Sequence, residues 1–126
     1  MTNEAALKSG RVLLLEDNLS LLRLYSKTLA KADYTVHEAM TVAEAEQLLK
    51  SNEFDIFICD MRIGGAHSAD LLREWAAPLK EKGTTIIAMS AYEQYRRTCA
   101  EMGIENFMPK PITPSNLIDV LNTLSA

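Results

Sequence analysis

At 126 residues, 48% apolar and 24% charged, the chain has enough material for one globular domain with a real core. Its net charge of −4, with no block of Lys or Arg, argues against direct nucleic-acid or membrane-surface binding. No apolar run approaches the roughly 18 residues of a membrane span, residues 1–10 lack the apolar core of a signal peptide, and two cysteines, Cys59 and Cys99, are too few for a disulfide framework, so the expected compartment is the reducing cytoplasm.

Residues 1–10 are polar and aperiodic, a loose leader to a single domain expected over 11–126. Val12-Leu13-Leu14-Leu15 suits a strand buried on both faces, and it ends in Glu16-Asp17. Over residues 19–32, Leu22, Tyr25 and Leu29 recur at helical spacing until Asp33 breaks the pattern. Residues 34–39 interleave β formers with polar side chains, the mixture of an edge strand. Thr41-Val42-Ala43-Glu44 is a capping-box pattern that opens a helix with Val42, Ala45 and Leu49 inward, closed by Asn52.

Phe54-Asp55-Ile56-Phe57-Ile58-Cys59-Asp60 follows, an apolar run that stops abruptly at a carboxylate. Gly64-Gly65 predicts a flexible turn, and the next helix carries Leu72, Trp75 and Leu79 on one face. Pro78 lies inside that pattern and predicts an end or kink near Ala77. After Gly83 comes a strand that ends at Ser90, then a helix over 92–102 with Tyr95, Cys99 and Met102 inward, stopped by Gly103. A last strand over 104–108 leads through Pro109 to Lys110. Thr113-Pro114 opens the final helix, with Leu117, Val120, Leu121 and Leu124 apolar. His37 and His67 have no partner at ligand spacing and read as surface residues.

Five strand–helix units without repeats predict an α/β fold: a doubly wound, five-stranded parallel sheet with helices on both faces. Right-handed crossovers leave two main strand orders. An edge-like second strand and a proline-ended fifth favour 2-1-3-4-5, which puts the switch point between the first and third strands. Glu16-Asp17 and Asp60 leave those two strands, and Ser90 and Lys110 leave the next two at the same edge.

Three converging carboxylates repel one another unless a cation sits among them. Oxygen donors without His or Cys favour Mg²⁺ over zinc or copper. A lysine and a hydroxyl facing the acids complete a clamp for a phosphoryl group in transfer, with Asp60 as the nucleophile.

The segments Val12-Leu13-Leu14-Leu15-Glu16-Asp17-Asn18, Asp55-Ile56-Phe57-Ile58-Cys59-Asp60-Met61, Ala88-Met89-Ser90-Ala91 and Lys110-Pro111 resemble a response-regulator receiver domain of two-component or phosphorelay signalling, over about residues 11–125. The resemblance implies a flavodoxin-like receiver fold and a signalling phosphoacceptor rather than an enzyme, one that assists its own phosphorylation and dephosphorylation. By that likeness Asp60 accepts the phosphoryl group, and Mg²⁺ is held by Glu16, Asp17, Asp60 and the carbonyl of Arg62. Lys110 contacts the phosphoryl group, Ser90 is the switch hydroxyl and Phe107 the switch aromatic. A cis peptide is expected before Pro111. The implied partners are a sensor histidine kinase or phosphotransfer protein and a downstream protein or output domain. With no DNA-binding segment after Ala126, a single-domain regulator or an excised receiver is expected.

Arg62, Gly64, Ser68 and Tyr92 depart from the pattern that this family usually carries around its acceptor. They leave a second reading open, a receiver-like interaction module not regulated by phosphorylation. A haloacid-dehalogenase-type phosphatase needs a second Asp where Arg62 stands. A flavin binder needs a phosphate loop where Glu16-Asp17-Asn18 stands, and a Rossmann site needs a glycine fingerprint the chain lacks.

Overall fold

The apolar runs become five parallel strands, and their order carries Glu16, Asp60, Ser90 and Lys110 to one edge. The computed structural model describes residues 10–63 and 66–125. Its elements are β1 (Arg11–Leu15), α1 (Leu19–Lys31), β2 (Thr35–Ala39), α2 (Val42–Ser51) and β3 (Ile56–Asp60). Two short strands follow, β4 (Arg62–Ile63) and β5 (Ala66–His67), then α3 (Ala69–Glu81), β6 (Thr85–Ser90), α4 (Gln94–Glu101), β7 (Asn106–Pro109) and α5 (Pro114–Ser125). The main sheet has the order β2-β1-β3-β6-β7, which is the expected 2-1-3-4-5 once the two short strands are set aside. Those two pair antiparallel with each other, a ribbon that sequence patterning does not predict.

Strand alternation sorts the core into two layers. Leu13, Leu15, Phe57, Cys59 and Ala88 face α2, α3 and α4, where Leu49, Leu72, Leu79 and Cys99 meet them. Val12, Leu14, Ile56, Ile58 and Met89 face α1 and α5, against Leu22, Tyr25, Leu29, Leu117 and Leu121. Every residue of β3 is buried, whereas β2, at the edge, is mostly exposed or half-buried. Both cysteines are buried, and burial pushes the Cys99 thiol up to about 11, so they act as apolar filler.

Helix ends follow the local chemistry. Asn18 Oδ1 accepts from Leu21 N at 3.0 Å and Thr41 Oγ1 from Glu44 N at 3.1 Å, two side-chain N-caps. Glu44 returns its carboxylate to Met40 N at 2.8 Å, one residue before the position a capping box uses. Gly103 closes α4 with φ 80°, and Asp33 takes the same left-handed role after α1 with φ 72°. The Lys110-Pro111 peptide is cis, as the family resemblance implies.

Two sequence expectations are corrected. Of the end or kink expected near Ala77, the end is overturned: helix α3 runs through Pro78 to Glu81. Pro78 removes one hydrogen bond near the C-terminus, where Glu74 and Pro78 are both solvent-exposed and water can satisfy the freed carbonyl. Burial of Leu79 at the next position holds the last turn down. His37 is half-buried rather than a plain surface residue, with its ring edge-on to Phe54 at 5.2 Å between centroids. The leader over residues 1–9, the Gly64-Gly65 turn and the His67 side chain lie outside the described residues.

Candidate functional site

Register places the site. Leu15 pairs with Cys59, so Glu16 and Asp60 leave β1 and β3 at the same level. Ser90 pairs with Pro109, so Lys110 emerges one step beyond the hydroxyl. Asp60 and Glu16 are buried, at 5% and 1% exposure, and Asp17 is exposed beside them. One carboxylate oxygen from each of Glu16, Asp17 and Asp60 lies within 4.8 Å of the others.

Lys110 ties the two buried acids together. Its Nζ donates to Glu16 Oε1 and to Asp60 Oδ2, both at 2.7 Å. The other oxygens are also engaged: Asp60 Oδ1 accepts from Arg62 N at 3.2 Å and Glu16 Oε2 from Asn18 N at 3.1 Å. Burial pushes the Glu16 carboxyl up, against the lowering hydrogen bonds from Lys110 and Asn18, and the negative charge of Asp60 adds to the rise. Burial alone would depress the Lys110 ammonium, but its bonds to Asp60 and Glu16 hold it above its ordinary value. One cation is therefore shared between two buried anions, with a third acid at the rim. That surplus of hard oxygen donors, open to solvent at Asp17, fits a divalent cation such as Mg²⁺.

Ser90, at 2% exposure, ends β6, and its Oγ accepts from Tyr92 N at 2.9 Å. The backbone also connects these strand ends, since Lys110 N donates to Ser90 O at 2.9 Å and Met61 N to Met89 O at 2.9 Å. The guanidinium of Arg62 rests over the Tyr92 ring, 4.8 Å from its centroid. Phe107 is half-buried on β7 beneath the Arg96 guanidinium, 4.7 Å from the ring centroid, and Arg96 is itself gripped by Glu93 at 2.7 Å. Glu16, Asp17, Asp60, Ser90 and Lys110 thus share one edge. Arg62 is attached to it through its main chain, and Phe107 sits two residues back along β7.

Two further residues brace this edge. Ser68, fully buried, donates from Oγ to the Asp60 carbonyl at 2.6 Å and from its N–H to the Met61 carbonyl at 3.0 Å. Its signal in the sequence is only a departure from a familiar pattern. Tyr25 reaches the segment after Lys110 from α1, donating its hydroxyl to Ile112 O at 3.1 Å. Its helical spacing announces a core residue and nothing more.

Known proteins share this fold. A family model, the response regulator receiver domain, matches residues 12–122. The non-phosphorylated receiver domain of HemR from Leptospira biflexa is 30% identical, with a TM-score of 0.79 over 92% of this chain and 94% of that one. The chemotaxis response regulator CheY4 of Vibrio cholerae has the same fold, with a TM-score of 0.81 at 22% identity over 90% of this chain and 97% of that one. The alginate biosynthesis transcriptional regulatory protein AlgB of Pseudomonas aeruginosa is 26% identical over 110 residues, 87% of this chain but 24% of its own length. The chain thus spans about a quarter of that relative. No helix among the described residues is long and apolar enough to cross a membrane. With the family model covering nearly the whole sheet and its helices, the chain belongs to the response regulator receiver domains.

Proposed function

We propose that Asp60 accepts a phosphoryl group from the phosphohistidine of a sensor kinase or phosphotransfer protein and that the resulting change is read by a downstream protein or output domain. The observation that carries this reading is the Lys110 ammonium at 2.7 Å from Asp60 Oδ2, with Glu16 and Asp17 alongside. In the transfer an Asp60 oxygen attacks phosphorus, the phosphorus–nitrogen bond breaks, and the imidazole leaves with the bonding pair. Lys110 is already in contact with the attacking carboxylate and needs only to exchange its Glu16 bond for one to a phosphoryl oxygen. The Tyr92 N–H occupies a lone pair of Ser90 Oγ, which leaves the Ser90 O–H free to donate toward the same group. Glu16, Asp17, Asp60 and the Arg62 carbonyl would hold Mg²⁺, whose contribution when bound is positive charge against the phosphoryl oxygens.

The test is intact mass after exposure to acetyl phosphate, with and without Mg²⁺, on wild type and Asp60→Asn. One phosphate per chain is expected, dependent on Mg²⁺ and absent from the variant. A hydroxylamine-labile phosphate on Asp60→Asn at the wild-type rate would exclude Asp60 as the acceptor. The Arg62–Tyr92 stack beside the acceptor favours a second reading, an interaction module not regulated by phosphorylation. Absence of any added mass in wild type would select that one.

A further inference from the structure

Tyr25 occupies an inward position of α1 at 1% exposure, where a phenylalanine ring would fill the same space. A hydroxyl in such a place is costly unless bonded, so its partner is informative. The partner is the carbonyl of Ile112, 87 residues away and two positions after Lys110, at 3.1 Å. Residues 110–113 are irregular backbone between β7 and α5, and Pro111 has no N–H to help hold them. Upstream, this segment is fastened where Lys110 N donates to Ser90 O at 2.9 Å. Downstream, Tyr25 fastens it to a different helix. The phenol also lies in the field of the site: burial pushes its pKa above the ordinary value and keeps the hydroxyl protonated, and the charges of Lys110, Glu16 and Asp60 all act on it.

We infer that Tyr25 is a positioning residue for Lys110, its hydroxyl fixing the Ile112 carbonyl so that the lysine backbone is held at both ends while its ammonium spans Glu16 and Asp60. This rests on the reading of Lys110 as the group that meets the phosphoryl oxygens. A long flexible side chain finds a fixed target efficiently only from a fixed root. When the downstream tie is lost, the buried Ile112 side chain still anchors the segment, but its carbonyl is no longer held in one orientation, and the peptides of residues 111 and 112 can shift and carry the lysine root with them. The Ser90 tie remains, so the loss is partial. Displacements on the order of 1 Å can cost up to about a hundredfold in rate, and roughly tenfold is expected here.

The test compares wild type, Tyr25→Phe, and Tyr25→4-aminophenylalanine, which keeps an N–H donor at the ring tip. The first readout is the Lys110 ammonium signal in ¹⁵N-lysine-labelled, unphosphorylated protein, visible when short hydrogen bonds slow its proton exchange. The second is the initial rate of phosphorylation by acetyl phosphate in Mg²⁺, followed by intact mass. Tyr25→Phe should speed ammonium exchange and slow phosphorylation about tenfold, and the amino variant should restore both toward wild type. An unchanged ammonium signal in Tyr25→Phe, or an amino variant indistinguishable from it, would overturn the inference. Phosphorylation of Asp60→Asn would instead remove the reading of the site, while the ammonium comparison would still decide the role of Tyr25.

Discussion

The Arg62 guanidinium lies over the Tyr92 ring at 4.8 Å, and both residues are tied by main chain to the site. Arg62 N donates to Asp60 Oδ1 at 3.2 Å and Tyr92 N to Ser90 Oγ at 2.9 Å, so the stack bridges the exits of β3 and β6. Water that hydrolyses an aspartyl phosphate attacks phosphorus in line, opposite the Asp60 oxygen. With Asp60 as the acceptor, two large side chains tied to the ends of β3 and β6 are expected to crowd that approach. Positive charge from Arg62 could instead stabilise the transition state, but charge does not compensate for an excluded nucleophile. Slow self-dephosphorylation is expected. Arg62→Ala/Tyr92→Ala should lose phosphate faster than wild type, because both side chains beside the in-line path are shortened. Decay of purified phosphoprotein in Mg²⁺ measures this, and equal or slower decay in the double variant would sink it.

Asp17 differs from the other acids in being exposed, while Glu16 and Asp60 share the Lys110 ammonium. Removing it should therefore cost metal binding without opening the core. Asp17→Ala is expected to lose metal-dependent phosphorylation and to melt at or slightly above the wild-type temperature in metal-free buffer, because a like charge is relieved. Calorimetric Mg²⁺ titration that matched wild type would contradict the assignment.

Glu16 offers a pH signature in metal-free protein. Its carboxyl is held above the ordinary value chiefly by burial. A raised folded-state value means that the folded protein binds the proton more tightly than the unfolded chain does. The associated stability is fully present below the unfolded value and is lost as pH rises through the folded one. Glu16→Gln cannot ionise and escapes that loss. The melting temperature of Glu16→Gln relative to wild type should therefore climb as pH is raised through the acidic range toward neutrality. A difference independent of pH would refute the shift.

The Ser68 hydroxyl meets the Asp60 carbonyl at 2.6 Å in a fully buried setting. Ser68→Ala leaves that carbonyl with the weak Cys59 thiol contact at 3.6 Å. A loss of about 1–3 kcal/mol is expected, the cost of an unsatisfied buried acceptor. Urea unfolding measures it, and an unchanged midpoint would show that water replaces the hydroxyl.

What could be read from the chain and what could not separates by range. The strands were legible because buried runs such as Val12-Leu13-Leu14-Leu15 and Ile56-Phe57-Ile58-Cys59 are local patterns. The convergence of Glu16, Asp60, Ser90 and Lys110 was legible because each ends or directly follows such a run, and parallel order aligns run ends. Ser68 and Tyr25 were not legible as site supports. Their partners are the carbonyls of Asp60 and Ile112, and a carbonyl has no residue identity to leave in a sequence. Pro78 misled because propensity takes no account of the buried Leu79 that holds the last turn of α3. The β4–β5 ribbon has two residues per strand, too short for any alternation to register.

The last prediction concerns how occupancy at Asp60 reaches the protein surface. Ser90 Oγ currently accepts the Tyr92 N–H at 2.9 Å, and Tyr92 leads into α4, whose Arg96 covers the Phe107 ring at 4.7 Å. If a phosphoryl group on Asp60 draws the whole Ser90 side chain toward itself, rather than only its free O–H, the Tyr92 N–H bond lengthens or breaks. That releases the start of α4 and shifts Arg96 relative to Phe107. Phe107 has no hydroxyl, so its response depends on packing and on the cation above it. Both arrangements should exist before phosphorylation, with the phosphate shifting the balance between them. Amide exchange at Tyr92 should therefore accelerate in the phosphorylated protein, and chemical-shift changes should extend through α4 to Phe107. Ser90→Ala removes the acceptor and should show fast Tyr92 exchange in both states, with no further change at Phe107 on phosphorylation. Shift changes confined to the strand ends around Asp60, with Tyr92 exchange unaltered, would disconnect the acceptor from this face.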